Sequence, residues 1–188
     1  MGVDWSPAAG TLEVVPALER PDLLADPVLK AVRGLGEFES SQFGVAEIDP
    51  DVADTAAFCE RYASPLELSA NCVVVSGKRS GEVRYAACLV LATTRADVNN
   101  VVKRRLDVRK ASFVAVDEAV SVTNMEYGGI TPLGLPADWP ILVDAAVAER
   151  PAAVLGSGLR RSKLLASGEV LARLPDVDVL PDLALPVA

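Results

Sequence analysis

The sequence predicts a single domain of the mixed α/β class with a largely β core. The chain has 188 residues, a length typical of one domain. Hydrophobic residues make up 51% of the chain, which is enough for a packed core and argues against disorder over most of its length. Helix-like and strand-like segments are intermixed without the regular βαβ repeat of a doubly wound sheet. We therefore expect one globular domain.

The N-terminal part of the chain predicts two helices. An apolar helix is expected over residues 22–34, with Pro27 either in its first turn or at a break. Residues 51–62 read as a second helix, because their apolar side chains recur roughly on one side. We assign residues 1–50 to an N-terminal helical extension that packs on the main domain, and residues 51–188 to that domain.

The patterning becomes strand-like after Pro65. Residues 66–76 and 82–93 are rich in strand-forming side chains, and a glycine-flanked turn at 77–81 joins them. This arrangement predicts a β-hairpin with two largely buried strands.

The elements after the hairpin are short. A helix begins at Asp97, and its apolar residues at helical spacing can face the core. The other predicted elements are a strand at 111–116, a short helix at 117–124, strands at 141–143, 152–155 and 162–165, a short helix at 167–174, and a terminal strand and extended arm at 175–188.

The net charge of −8 is distributed unevenly along the chain. Residues 1–70 carry a net charge of −9 and residues 116–188 a net charge of −5. Residues 71–115 hold nine basic and three acidic side chains, a net charge of +6. One interpretation is a basic face that contacts phosphate or nucleic acid. The other is a set of solvated charges that pair with the acidic segments.

The composition excludes several kinds of site. The chain has no histidine, which rules out Ser-His-Asp and Cys-His catalysis and any imidazole metal ligand. Cys59, Cys72 and Cys88 form an odd set without a CxxC pair, so we expect neither a disulfide framework nor a structural zinc site. Cys72 could be a nucleophile, but its apolar strand favours a structural cysteine.

No targeting or nucleotide-binding motif is evident. The start of the chain lacks a secretory pattern, and the longest uncharged apolar run, residues 85–94, is too short for a membrane helix. The Gly156-Ser157-Gly158 sequence follows a strand, but the third glycine of GxGxxG would fall at Arg161. We expect a soluble, cytoplasmic protein.

Residues 127–136 form the most informative segment. Three glycines and two prolines within ten residues fix a turn with little side-chain bulk, which can leave backbone N–H groups free for a ligand oxygen. The alternative is an ordinary structural loop.

Three segments carry a resemblance to a known family: residues 128–136, a strand ending at Asp144, and the later glycine loop at 156–158. Together they resemble the YbaK/EbsC-type aminoacyl-tRNA deacylases, the prolyl-tRNA synthetase editing-domain family. The resemblance covers about residues 50–178, and the order and spacing of these elements are more specific than any single glycine motif. Further stretches look like an actinobacterial-type branch of the family: 69–72, 93–99 and 125–127. The resemblance implies a single YbaK-like domain, in which helices surround a mixed, barrel-like β-sheet.

The resemblance also implies a function, trans-editing of mischarged tRNA by hydrolysis of its aminoacyl ester. Water or the terminal ribose hydroxyl of the tRNA takes part in the reaction, and neither a cofactor nor a metal ion is expected. The residues expected at the chemistry are Asn71, Gly128, Gly129, Thr131 and Asp144. The residues expected to shape the pocket are Ile130, Pro132, Leu133, Gly156, Ser157 and Gly158. The basic residues expected to contact tRNA are Arg95, Lys103, Arg104 and Arg109.

Asn71 departs from the family pattern, because the family carries a lysine at the aligned position. A neutral amide can donate and accept hydrogen bonds, but it cannot supply the positive charge. Three outcomes are open: altered deacylase specificity, recruitment of Arg95 or Lys78 into the missing role, or a catalytically weak binding module.

The expected partners follow from this interpretation. They are the aminoacylated end of tRNA and, as a further candidate, an aminoacyl-tRNA synthetase; neither DNA nor a membrane is expected. The alternative to an enzyme is a family member that binds tRNA, an amino acid or a synthetase without efficient catalysis. The sequence does not identify the amino acid, the tRNA or the oligomeric state.

Overall fold

The computed structural model describes residues 3–187, which contain eleven strands and eight α-helices. The strands are β1 (Val15–Pro16), β2 (Gly44–Glu47), β3 (Ala70–Arg79), β4 (Glu82–Leu91), β5 (Thr94–Ala96), β6 (Ala111–Phe113), β7 (Ile141–Asp144), β8 (Ala153–Gly156), β9 (Ser162–Ala166), β10 (Val177–Leu180) and β11 (Ala184–Pro186). The helices are α1 (Ser6–Ala9), α2 (Asp26–Gly34), α3 (Glu37–Ser40), α4 (Thr55–Tyr62), α5 (Lys103–Arg105), α6 (Val116–Thr123), α7 (Ala145–Ala148) and α8 (Gly168–Ala172). Short 3₁₀ turns lie at Ala17–Glu19, Pro21–Leu23, Pro50–Val52 and Leu66–Leu68, and a π-helical turn at Val98–Val102.

The strands form two larger sheets and one two-stranded ribbon. The five-stranded sheet has the order β10-β7-β4-β3-β6, in which β7 runs parallel to both of its neighbours. The four-stranded sheet has the order β1-β2-β9-β8 and is antiparallel throughout. The fold is therefore a single mixed α/β domain, as the sequence predicts. Neither sheet closes on itself, so the prediction of a barrel-like sheet is wrong.

The central hairpin is confirmed, but its first strand lies further along the chain than predicted. Residues 66–68 form a 3₁₀ turn, and residues 77–79, expected in the connecting turn, belong to β3. Strands β3 and β4 pair over ten residues, and the two turn residues Ser80 and Gly81 have φ angles of 52° and 86°. A two-residue turn with both φ angles positive matches the twist of the strands that it joins. On β4, residues 86–91 are buried, which is consistent with the continuous apolar sequence there.

The N-terminal segment contributes more than the predicted helical extension. Helix α2 holds Pro27 in its first turn and buries Val28 and Val32. Strand β2 pairs with β9, and β1 pairs with β2, so this segment also supplies two strands of the four-stranded sheet. The domain boundary at residue 51 stays a prediction.

The helix expected at Asp97 begins there, but its first part is a π-helical turn rather than an α-helix. The Asp97 carboxylate accepts a hydrogen bond from the Asn100 N–H at 3.1 Å and starts the π-helical turn, which continues into α5. The apolar positions predicted to face the core are buried: Val98, Val101, Val102 and Leu106.

The two larger sheets meet where β3 begins. An isolated parallel bridge joins Ser69, just before β3, to Val154 on β8. The main hydrophobic cluster spans both sheets, since it includes Leu89 of β4 and Leu164 of β9. The start of β3 is therefore held beside β8 at the junction.

None of the helices in residues 3–187 is both long and apolar enough to cross a membrane.

Candidate active site

A cavity of about 380 Å³ lies at the junction of the two sheets. Its walls come from the start of β3, the start of α4, the loop after α6, and strands β8 and β9. The apolar part of the wall is formed by Phe58, Cys72, Val73, Ile130, Val154 and Leu155. The polar part is formed by Asp54, Thr55, Ser69, Asn71, Tyr127 and Lys163.

Asn71 lies in the cavity wall, as predicted for a site residue. It is the second residue of β3, and its Oδ1 accepts a hydrogen bond from the Thr55 hydroxyl at 2.9 Å. Thr55 is the first residue of α4, so this bond ties the strand to the helix start. The side-chain nitrogen of Asn71 makes no hydrogen bond within the described part of the chain, and its two protons remain available to a ligand.

The structure brings together the two glycine loops that the sequence singles out. The Gly158 N–H donates to the Gly129 carbonyl at 2.7 Å. A Cβ on Gly129 would lie 2.7 Å from the Leu159 carbonyl oxygen, and one on Gly156 would collide with the Gly129 carbonyl. Glycine is needed at these positions because the two backbones touch. Of the glycines assigned to the site, Gly128 and Gly156 line the cavity.

Only some of the expected backbone donors remain available. The Gly129 N–H already donates to the Glu126 carbonyl at 3.0 Å. The N–H groups of Gly128 and Ile130, two residues that line the cavity, make no hydrogen bond to any other residue between 3 and 187. These two are the donors that a ligand oxygen could use.

Several residues assigned to the site lie in the interior and do not line this cavity. Thr131 is fully buried, and its Oγ1 has no hydrogen-bond partner among the described residues. Pro132 and Leu133 are buried as well, the latter in the main hydrophobic cluster. Ser157 is buried, and its hydroxyl lies 2.7 Å from the Ser162 hydroxyl. These side chains pack in the interior beneath the loops, and their expected parts in the site stay predictions.

Asp144 also has structural partners. One carboxylate oxygen accepts from the Ala146 N–H at 3.0 Å and caps α7, and the other accepts from the Ala184 N–H at 2.9 Å at the start of β11. The side chain is buried and lies outside the cavity wall. The Asp144 carboxylate therefore supports two backbone segments, and its expected part in the chemistry stays a prediction.

Cys72 lines the cavity, and its surroundings favour the structural interpretation. Burial raises the pKa of its thiol far above the usual range, with a smaller contribution from Cys88. Burial likewise raises the pKa of Cys88 to about 12. A thiol that stays protonated at neutral pH is a poor nucleophile.

Lys163 is the principal residue that the sequence analysis missed. It lies on β9 with only 7% of its surface exposed, and its Nζ donates to the Ala53 carbonyl at 2.9 Å and to the Gly128 carbonyl at 3.4 Å. The ammonium is 5.3 Å from the centre of the Phe58 ring. Burial, and then the positive charge of Arg160, lower the pKa of Lys163 to about 8. The sequence feature that could have indicated Lys163 is its place as a lone lysine in the otherwise uncharged strand β9.

Arg160 and Tyr127 lie together at the mouth of the cavity and were missed as well. The Arg160 guanidinium is 3.2 Å from the Asp54 carboxylate, and its central carbon is 5.6 Å from the centre of the Tyr127 ring. The Tyr127 side chain lines the cavity and is 54% exposed. The mouth therefore offers a cation beside an exposed aromatic face.

The predicted tRNA-binding residues lie outside the cavity wall. Arg95 is on β5, close to the chain turn in which the Ala92 N–H donates to the Ser69 carbonyl at 2.8 Å. The segment at 103–109 packs near Gly77, whose Cβ would touch Val108. Gly77 is six residues along β3 from Asn71, about 20 Å at strand geometry. The nearby arginines Arg79 and Arg84 pair with Asp107, and Arg105 pairs with Asp178.

No group of three or more His, Cys, Asp or Glu residues in the described part of the chain is placed to hold a metal ion.

Comparisons with known proteins were made for sequence and for structure. The model of a family described as the aminoacyl-tRNA editing domain matches residues 49–174. No curated protein sequence matches the chain closely enough to count as a relative.

Solved structures share the fold at low sequence identity. A hypothetical protein matches with a TM-score of 0.71 and 16% identity, over 85% of this chain and all of the other. A protein described as a candidate trans-editing enzyme for prolyl-tRNA synthetase matches with a TM-score of 0.69 and 18% identity, over 83% of this chain and 94% of the other. A protein from Marinobacter aquaeolei described as a candidate signal transduction protein matches with a TM-score of 0.53 and 18% identity, over 85% of this chain and 30% of its own.

Proposed function

Because the chain belongs to the aminoacyl-tRNA editing domain family, we propose that it hydrolyses the ester bond between an amino acid and a wrongly matched tRNA. The observation that carries the proposal is the cavity at the sheet junction, where the Asn71 amide and the backbone N–H groups of Gly128 and Ile130 are available beside an apolar wall. This combination suits an ester carbonyl attached to a small amino acid side chain.

The size of the cavity sets what it can enclose. A volume of about 380 Å³ is near the lower end of the range for ligand pockets, enough for an aminoacyl group. The terminal nucleotide of the tRNA then lies at the mouth, where Tyr127 offers a ring for stacking and Arg160 a positive charge. The apolar wall formed by Phe58, Val154 and Leu155 favours an amino acid with an uncharged side chain.

The reaction needs no protein nucleophile. Water attacks the ester carbonyl carbon, the carbonyl oxygen becomes an oxyanion, and the bond to the ribose oxygen then breaks. The ribose oxygen gains a proton from the attacking water, so the products are the free amino acid and uncharged tRNA. Donors aimed at the oxyanion stabilise the transition state by about 3 kcal/mol each. Asn71, Gly128 and Ile130 are the proposed donors.

The basic segment gives a second, more distant contact with tRNA. Lys103, Arg104 and Arg109 belong to the region near Gly77, about 20 Å from Asn71 along β3. An acceptor stem whose end enters the cavity can reach that distance with its phosphates. Arg95, nearer the junction, would contact the end of the stem. A synthetase that forms the mischarged product is the corresponding protein partner.

The test is deacylation of a panel of mischarged tRNAs by the purified protein, together with Asn71→Ala and Asn71→Lys. We expect the wild type to hydrolyse at least one pair faster than the background rate and Asn71→Ala to do so more slowly. The second candidate function is a binding module, which the neutral side chain at position 71 favours. No hydrolysis by the wild type, with activity gained in Asn71→Lys, would overturn the enzyme proposal and support the binding module.

A further inference from the structure

Lys163 occupies an unusual position for a lysine. Its neighbours on β9, Leu164 and Leu165, are fully buried, and Lys163 itself is only 7% exposed. Across residues 3–187, no carboxylate lies within ion-pair distance of its ammonium. A buried charge without an ion-pair partner is costly, so the ammonium depends on the hydrogen bonds that it makes.

The hydrogen bonds of Lys163 do not use its full capacity. An ammonium has three N–H donors, and two of them are directed to the carbonyls of Ala53 and Gly128 at 2.9 Å and 3.4 Å. Both acceptors belong to residues that line the cavity, as Lys163 does itself. One donor therefore remains for a ligand in the cavity.

Lys163 and Asn71 approach the same short segment from different sheets. Asn71 binds the hydroxyl of Thr55, and Lys163 binds the carbonyl of Ala53, two residues earlier. A second ammonium at position 71 would share this small space with Lys163, and like charges so close disfavour each other. The neutral amide at position 71 is therefore compatible with the buried cation on β9.

We propose that Lys163 is a catalytic residue of this cavity, whose ammonium donates from strand β9 to the carbonyl oxygen of the bound aminoacyl ester. This inference rests on the proposed function and deepens it, because it assigns the positive charge of the site to a residue outside β3. Neither Arg95 nor Lys78 lines the cavity, so the structure gives no support for recruiting either of them.

The role of Lys163 is electrostatic, and it does not exchange its proton. As water adds to the carbonyl carbon, negative charge develops on the carbonyl oxygen beside the free N–H of the ammonium. The charge disperses again when the bond to the ribose oxygen breaks and that oxygen takes the proton of the attacking water. The ammonium leaves the step as it entered, still bonded to the carbonyls of Ala53 and Gly128.

The protonation state of Lys163 fits this role at neutral pH. Its pKa is lowered to about 8, chiefly by burial, so the charged form predominates at pH 7. The groups that act on it are the guanidinium of Arg160, which lowers this pKa further, and Asp54 and Cys59, which raise it. The charge is therefore lost as the pH rises through about 8.

The experiment compares kcat and KM of the wild type, Lys163→Gln, the double variant Lys163→Gln with Asn71→Lys, and the control Lys30→Gln. Lys30 is an exposed lysine on α2 and lies outside both the cavity and the basic segment. We expect Lys163→Gln to lower kcat about 100- to 1,000-fold with little change in KM, as for the loss of an oxyanion donor. The double variant should recover at least about tenfold, since the charge returns from the other side of the cavity, and Lys30→Gln should match the wild type.

The pH profile separates a catalytic from a merely structural role. After subtraction of the uncatalysed rate, wild-type kcat/KM should fall above about pH 8, because kcat/KM reports the ligand-free protein, and the residual kcat/KM of Lys163→Gln should lack this decline. Unchanged kcat in Lys163→Gln, or the same decline in both proteins, would overturn the proposal. Lys163→Met replaces the glutamine variant if the latter has a lower melting temperature than the wild type.

A binding measurement distinguishes failure of this inference from failure of the proposed function. The probe is an adenosine whose 3′ position carries an amino acid through an amide, which the protein cannot hydrolyse as an ester. Calorimetry at pH 8 in two buffers of different ionisation enthalpy, with the amino group of the probe acetylated so that it cannot titrate, should show proton uptake on binding to the wild type and none for Lys163→Gln. If no tRNA is hydrolysed but uptake occurs, the enzyme proposal fails and the Lys163 contact stands. Absence of binding or of uptake overturns the Lys163 contact.

Discussion

Asn71 and Lys163 lie on strands of different sheets, yet both are hydrogen-bonded to the segment between Ala53 and Thr55. The Thr55 hydroxyl donates to Asn71 Oδ1 at 2.9 Å, and Lys163 Nζ donates to the Ala53 carbonyl at 2.9 Å. The start of α4 is thus held from both sides of the cavity. A change at either residue therefore affects the cavity wall as well as any ligand contact.

The first prediction concerns Asn71. Asn71→Ala removes the partner of the Thr55 hydroxyl and should lower the free energy of unfolding by about 1 kcal/mol. It also removes a proposed donor to the ester, so kcat/KM should fall about 100-fold. Urea unfolding and tRNA deacylation measure the two effects. Asn99→Ala, at an exposed position in the π-helical turn, is the control and should change neither quantity.

The second prediction concerns pH and stability. The pKa of Lys163 is about 8 in the folded protein and near 10.5 in the unfolded chain, so the unfolded state binds more protons between these pH values. Burial of the charge destabilises the fold fully below pH 8, and this destabilisation is relieved as the pH rises to 10.5. Lys163→Met should therefore be more stable than the wild type at pH 7, by up to about 3 kcal/mol. The difference should shrink towards pH 10.5 in chemical denaturation, and a constant difference across the range would contradict the assignment.

The third prediction separates Asp144 from the chemistry. Asp144→Ala leaves the N–H groups of Ala146 and Ala184 without their acceptor and should lower the free energy of unfolding by about 2 to 3 kcal/mol. Under conditions where the variant is folded, kcat should stay within about twofold of the wild type. A loss of kcat similar to that in Lys163→Gln, without loss of stability, would place Asp144 back among the catalytic residues.

The fourth prediction concerns the contact between the glycine loops. In Gly129→Ala, the new methyl group would lie 2.7 Å from the Leu159 carbonyl oxygen, so one of the two loops must move. We expect a loss of about 2 kcal/mol in stability and reduced deacylation. Gly34→Ala is a matched control at the end of α2, where the methyl group meets nothing within 4 Å. That control should be neutral or slightly stabilising, and equal effects of the two substitutions would argue against the loop contact.

The fifth prediction concerns tRNA binding. The double charge reversal Lys103→Glu and Arg104→Glu should weaken tRNA binding and reduce the slope of log affinity against log salt by about 2 or more. Affinity for an aminoacyl adenosine, which lacks stem phosphates, should be unchanged.

Tyr127→Ala should show the opposite pattern, with weaker binding of the adenosine and an unchanged salt slope.

Sequence reasoning succeeded where the signal is local. A hairpin turn within residues 77–81 follows from the glycines there, although only Ser80 and Gly81 form it. The burial of Val98 and Val101 follows from their spacing after Asp97. The contact between the two glycine loops could be anticipated only through the family resemblance, because it joins residues 27 or more positions apart.

Sequence reasoning failed where distant segments of the chain meet. Strand β2 pairs with β9 across more than a hundred residues, and no local pattern near Gly44 indicates that partner. Lys163 reaches the cavity only because β9 lies beside β8 and β8 lies beside the start of β3. The structural partners of Asp144 were not foreseen either, since Ala184 lies forty residues away on β11.

The isolated bridge between Ser69 and Val154 has a consequence for how this cavity can diversify. Each larger sheet is held together by its own ladder of hydrogen bonds. Within residues 3–187, the two sheets are joined to each other by this one β-bridge. Substitutions on one sheet can therefore widen or narrow the gap while the other sheet keeps its register. Under the proposed function, substitutions of Val154 and Leu155 on β8 can change which amino acid fits the cavity without altering the strand that holds Asn71.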